Sequence, residues 1–196
     1  MAITNGYATL AEFKLYKKIT TTDTDRDSVI EDIIEGASRD IDREVGRTFY
    51  ARTETRYFDV PIDNSRLLRV DDDLLAITTL TNGDSNTIAA TEYNLVPKNV
   101  APYYGIRLKS GSAYYWNMDS SGNTEDVISI AGTWGWSSTA PNDIRQLCLA
   151  MSLNDYKKRF GEGQQSATIT AAGVVLSSPG MIKELAEKAR RYKRRT

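Results

Sequence analysis

The chain of 196 residues carries 25 Lys and Arg against 26 Asp and Glu, is 40% hydrophobic, and contains one cysteine and no histidine. This is the composition of a folded chain of one domain, or of one domain with an insertion. The missing imidazole excludes Ser-His-Asp and Cys-His nucleophiles and every His-ligated metal site, and a single cysteine, Cys148, makes neither an internal disulfide nor a thiolate metal cluster.

The first predicted element is a short helix from Leu10 to Ile19, on the spacing of Leu10, Phe13, Tyr16 and Ile19. A second helix is expected from Asp25 to Val45. There Val29, Ile33, Ala37, Ile41 and Val45 recur every four residues, Thr24 stands at the N-cap and Gly46 at the C-cap. From Phe49 to Trp136 the pattern turns to short β-branched or alternating runs: TRYFDV, RLLRV, LLAITTLT, EYNLV, GIRLK, AYYW and DVISIAGTW. Asn82-Gly83 is a strong hairpin signal and Ser110-Gly111 a weaker one. Helix returns at Asn142 to Phe160, with two apolar stripes that require packing on both sides. Beyond it TITAAGVVL reads as a strand or hairpin, and Ser178-Pro179 precedes a last helix carrying Ile182, Leu185, Ala186, Ala189 and Tyr192. The fold class is therefore α+β. A helical core, residues 1–49 and 137–196, holds an inserted antiparallel sheet or small sandwich, residues 50–136, all within a single domain 1–196. No run has the length of a signal peptide or membrane span, so a cytoplasmically made chain with no membrane partner is expected.

Charge is distributed unevenly. From Lys183 to Thr196 there are seven basic residues, Lys183, Lys188, Arg190, Arg191, Lys193, Arg194 and Arg195, and two acids, a net of +5 that leaves −6 on the rest of the chain. Such an end, with Tyr192 inside it, suits either an acidic protein surface or the phosphates of nucleic acid. The run Asp71, Asp72, Asp73 reads as a solvated turn or an interface charge patch ahead of an apolar strand. Asp23 to Glu31 (DTDRDSVIE) places carboxylates at the first, third and fifth positions of a calcium loop, but Ser28 and Ile34 stand where that loop needs Gly and Glu, and an acidic helix start explains the run. The aromatic group Tyr103, Tyr104, Tyr114, Tyr115, Trp116, Trp134 and Trp136 would suit a stacking platform, yet strand alternation favours core and interface. Cys148, inside an apolar stripe, reads as a buried structural thiol. No P-loop, dinucleotide fingerprint or nucleophile elbow is present, so no catalytic residue, cofactor or metal is expected.

YATLAEFKLYKKI, the Asp-rich turn, DSVIEDIIEGASRDIDREVGRTF leading into TRYFDV, and GTWGWSSTAPNDIRQLCLAMSLNDYKKRFGEG together resemble the head-tail connector (adaptor) proteins of tailed bacteriophages and gene transfer agents. The resemblance implies a non-enzymatic virion protein, assembled in the bacterial cytoplasm. It would form a homo-oligomeric ring, commonly of twelve copies, beneath the capsid portal, joining head to tail and extending the DNA channel. Its partners would be other copies of itself, the portal protein, and a tail or stopper protein, with DNA passing through without sequence-specific binding. The segment that engages the portal would be Met181 to Thr196, and Asp71 to Asp73 would line the channel or an interface. The alternative is a nucleic-acid-binding protein acting through the basic C-terminal helix.

Overall fold

The computed structural model describes residues 3–63, 65–161 and 187–193. Two compact units emerge: Met1–Arg47 with Thr139–Thr196, and Thr48–Ser138. The predicted strand at TITAAGVVL, the Ser178-Pro179 start of the last helix, and Ile182, Lys183, Leu185, Ala186, Arg194 and Arg195 lie outside the described residues.

The helical unit contains α1 (Leu10–Lys17), α2 (Asp27–Val45) and α3 (Asn142–Phe160). The first helix stops two residues short of the sequence expectation because Lys18 adopts the left-handed conformation, φ 63°, and its N–H returns to the carbonyls of Leu15 and Lys14. Its start is fixed by a reciprocal cap. Thr9 Oγ1 accepts from Glu12 N at 3.2 Å while the Glu12 carboxylate accepts from Thr9 N at 2.8 Å. α2 buries Ile30, Ile33, Ile34, Ala37, Ile41 and Val45 and ends at Gly46, φ 68°, as its spacing requires. Its N-terminus differs from the expectation. Thr24 makes no side-chain cap; instead its carbonyl accepts from Asp27 N at 3.2 Å in a separate turn, and the helix begins at Asp27. α3 packs along α2, with Cys148 Sγ 3.4 Å from Ser38 Oγ, and Phe13 of α1 meets Tyr156 of α3 at 5.6 Å between ring centres.

The second unit is one five-stranded antiparallel sheet of β1 (Arg52–Phe58), β2 (Leu67–Thr81), β3 (Tyr93–Val96), β4 (Tyr103–Leu108) and β5 (Ile128–Trp134), in the order β1-β5-β2-β4-β3. RLLRV and LLAITTLT, expected as two strands about an acidic turn, form the single strand β2, because Asp71–Asp73 continue the chain through a register shift between Arg69 and Leu74. The first half of β2 pairs with β4 and the second half with β5. A straight strand of this length would hold its ends about 50 Å apart. Here the Arg66 carbonyl, just before β2, accepts from the Trp116 indole at 3.3 Å, and Asn82, just after it, accepts from Asn117 N at 3.1 Å. Adjacent residues of one loop thus tie both ends, so β2 is bent and the sheet wraps around its own core. Phe58, Leu80, Ile128, Ile130 and Trp134 from one half share a cluster with Leu68, Val70, Ile106 and Leu108 from the other.

AYYW, expected as a strand, is irregular chain: Trp116 turns into the core, and the segment around it ties down the ends of β2 rather than joining the sheet. The Asn82-Gly83 turn forms, with Ile88 N donating to Leu80 O at 2.8 Å, but only an isolated bridge, Thr81 to Thr87, follows it.

Candidate functional site

Three places carry the charged and aromatic residues singled out by the sequence. The first is the C-terminal segment. Residues 187–189 are helical and run into a 3-10 turn, Arg190–Tyr192. Ala189 is buried against the helical unit, and the Tyr192 hydroxyl donates to both carboxylate oxygens of Asp143, each at 3.1 Å, at the start of α3. Burial, and then the hydrogen bond to Asp143, push the Tyr192 phenol above its ordinary pKa. Arg190 Nε lies 3.5 Å from Glu44 of α2. Lys188, Arg190, Arg191, Tyr192 and Lys193 are therefore laid along the helices, with Arg191 and Lys193 facing solvent.

The second place is the acidic run. Asp71, Asp72 and Asp73 do not act as one patch. Asp73 is buried in the bend of β2, where its carbonyl accepts from Gly135 N at 2.7 Å. Asp72 accepts from Arg52 at 2.5 Å and from Arg56 at 3.0 Å, and Asp71 accepts from Arg56 at 2.8 Å. Glu54, between the two arginines on β1, takes Arg56 Nε at 2.6 Å and Arg52 Nε at 3.1 Å. Burial alone would raise the Glu54 carboxyl, but the two guanidinium hydrogen bonds and charges outweigh it and hold the group below its ordinary value. Burial acts to lower Arg52 and Arg56, and their hydrogen bonds to Glu54 and the neighbouring carboxylates raise them instead. The Arg56 guanidinium also lies 4.7 Å over the Trp134 ring, whose Nε1 donates to Glu54 O at 3.1 Å. The arginines were not singled out by the sequence reading. Their signal is the alternation Arg52-Glu54-Arg56, which places all three on one face of a strand.

The third place is the Asp-rich turn ahead of α2, where an ammonium sits. Lys14, almost wholly buried on α1, donates to Asp23 O at 2.7 Å and pairs with Asp27 at 2.6 Å. Among the described residues no group of three His, Cys, Asp or Glu is arranged to hold a metal. Of the aromatic group, Trp116 and Trp134 are core, Tyr103 and Tyr114 pack against it, and Trp136 meets Phe49 edge-on at 6.4 Å. Only Tyr104 and Tyr115 are exposed, and Arg66 stacks on Tyr115 at 4.6 Å. Cys148 is fully buried, and that burial pushes its thiol up, as expected of a structural cysteine. Beside β3 an open groove of about 990 Å3 is bordered by Arg66, Asn94, Arg107 and Lys109.

No family model and no curated protein matches the sequence. Solved structures do. A chain in the neck of an empty GTA particle, computed with C6 symmetry, matches at TM-score 0.56 and 18% identity, over 97% of this chain and 92% of that one. A chain in the neck of a native GTA particle, computed with C12 symmetry, matches at 0.58 and 17% over the same shares. A chain of the virion of the native gene transfer agent particle matches at 0.59 and 16%, again over 97% and 92%. The likeness spans both units rather than one, and this α+β chain has the fold of chains found in the neck of gene transfer agent particles, the setting that its resemblance to head-tail connectors implies.

Proposed function

We propose that the protein is a structural component of the neck of a phage or phage-like particle, where copies form a ring beneath the portal, join head to tail and extend the DNA channel. The observation that carries this reading is the end-to-end likeness to neck chains, which includes the sheet unit as well as the helices. The C12 and C6 symmetries of those assemblies support a ring of twelve copies, or six repeats of a pair. The chain's own chemistry agrees. The charged side chains of the Arg52-Glu54-Arg56 row are spent on each other and on Asp71 and Asp72.

The portal-facing element is the basic C-terminal segment, Lys183 to Arg195. Its described part already lies on the helices with Arg191 and Lys193 outward, where they meet an acidic partner surface. Asp71, the exposed member of its run, is the one that faces the channel or a neighbour; Asp72 and Asp73 hold the bend. DNA passes such a lumen without sequence-specific contact, and the tail or stopper protein docks on the ring's opposite side. The test is capture of the portal by the full chain and by a variant carrying Lys188→Glu, Arg191→Glu and Lys193→Glu. The reading requires at least a tenfold loss of capture with unchanged circular dichroism; undiminished capture contradicts portal docking through this segment.

A further inference from the structure

Among the described residues the sheet has two unpaired edges, and they differ in a way that makes them partners. At one end of the strand order stands β1, seven residues long, bonded among the described residues to β5 alone. Its outward row is Thr53, Thr55 and Tyr57, all exposed and uncharged, with Tyr57 61% accessible. Natural edge strands are blunted by lysine, proline, a bulge, brevity or inward-pointing charges. β1 has only the last of these: its pairing with β5 runs without a register shift, and Arg52, Glu54 and Arg56 on the inner face are neutralised by one another and by Asp71 and Asp72. The ion network ties the inner face of β1 to the bend of β2 and leaves the opposite face exposed. At the other end stands β3, bonded among the described residues to β4 alone, with Asn94 outward in register with Arg107.

Charge separates the two edges. Arg107 and Lys109, both exposed, border the groove beside β3 together with Arg66 and Glu92, and the exposed Lys98 follows the strand, so bases predominate here. β1 instead runs into Asp59, whose carboxylate accepts from Asp126 N at 2.8 Å, so that Asp59, Glu125 and Asp126 cluster at its end. In a ring each copy uses two different patches, one for each neighbour. Two edges at opposite ends of one sheet, one with acids and one with bases, meet that requirement.

We infer that the β1 edge of one copy adds to the β3 edge of the next, continuing the sheet from subunit to subunit, with Asp59 and its neighbours set toward Arg107 and Lys109. Main-chain hydrogen bonds supply the attraction and the charges fix the direction. This inference rests on the ring reading above, and its test separates the two. Full chains carrying Thr53→Cys, Thr55→Cys or Tyr57→Cys, each combined with Asn94→Cys, are incorporated into particles and mildly oxidised; the buried Cys148 stays silent. At least one pair is expected to give a ladder of covalent multimers, while each single variant gives none. Particles that join normally but yield no ladder from any pair would overturn the edge contact and leave the ring reading standing. Dimers from a single β1 cysteine would overturn it too, since they mean β1 pairs with itself. As a second arm, Thr55→Lys places a charge on the edge without touching the core. The expected result is a folded protein whose joined particles fall at least tenfold, and normal joining counts against the inference.

Discussion

Arg56 lies between three carboxylates and an indole, and its removal leaves Glu54 and Asp72 sharing Arg52 alone. Its side chain is about four-fifths buried, so these bonds are shielded from solvent more than those of a surface pair. Arg56→Ala is expected to cost about 2 kcal/mol in urea unfolding, and Arg56→Lys to recover less than half, because an ammonium cannot reproduce the fork that spans Glu54, Asp71 and Asp72. Glu54 gives the same network a pH signature. Its carboxyl is held below the ordinary value in the folded state. Its contribution is therefore complete above the unfolded carboxylate range of about 4 and is lost as pH falls through the lower, folded value. Glu54→Gln should lower stability at neutral pH and flatten the acid limb of the stability curve; an acid limb identical to wild type would show that the carboxylate is not paired in solution.

Elements set the next scale, and here backbone demands decide more than side-chain charge. Gly135 sits at φ 131°, outside the range of L residues, and a Cβ there would overlap the carbonyl oxygen of Tyr50. Gly135→Ala is expected to destabilise the protein by about 2 to 4 kcal/mol in thermal or urea unfolding; a change under 0.5 kcal/mol would contradict this backbone geometry. This gives the Trp134-Gly135-Trp136 motif a structural meaning that the resemblance alone could not. At the C-terminus, Tyr192→Phe removes the hydroxyl from Asp143. Trypsin cleavage between Lys188 and Lys193 should then quicken several-fold with global stability lowered by about 1 kcal/mol or less, and an unchanged rate would mean that Asp143 does not hold the segment. The helices were legible where apolar residues recur at helical spacing and the end is a glycine: α3 spans Asn142–Phe160 as expected, and α2 ends at Gly46. Thr24 misled because its carbonyl, rather than its hydroxyl, serves the turn before α2. β2 misled because three consecutive aspartates ordinarily mark a turn, whereas two arginines on β1, distant in sequence, neutralise Asp71 and Asp72 within a continuous strand. AYYW misled because Trp116 is aromatic for the sake of the core, with Tyr114 packed against it, and its indole serves the start of β2, which local alternation does not encode.

At the scale of the whole molecule, the uneven charge becomes an arrangement of surfaces. Residues 187–193 of the basic C-terminal segment lie on the helical unit, the acidic loops and the cationic groove belong to the sheet unit, and the inferred pairing of the sheet's two unlike edges would give assembly a direction. None of these requires chemistry of the covalent kind, and all of them suit a molecule whose work is to contact several neighbours at once. The order of strands, and hence the identity of the two edges, was not legible in the sequence, since pairing between β2 and both β4 and β5 depends on a bend that no local pattern marks. The central claim is that this chain builds a neck ring between head and tail. Its most direct test is electron microscopy of the particles released when the gene carries an early stop codon. DNA-filled or partly emptied heads are expected to accumulate beside free, complete tails and to be restored to joined particles by the full chain supplied in trans. Normally joined particles from the stop-codon strain would contradict it.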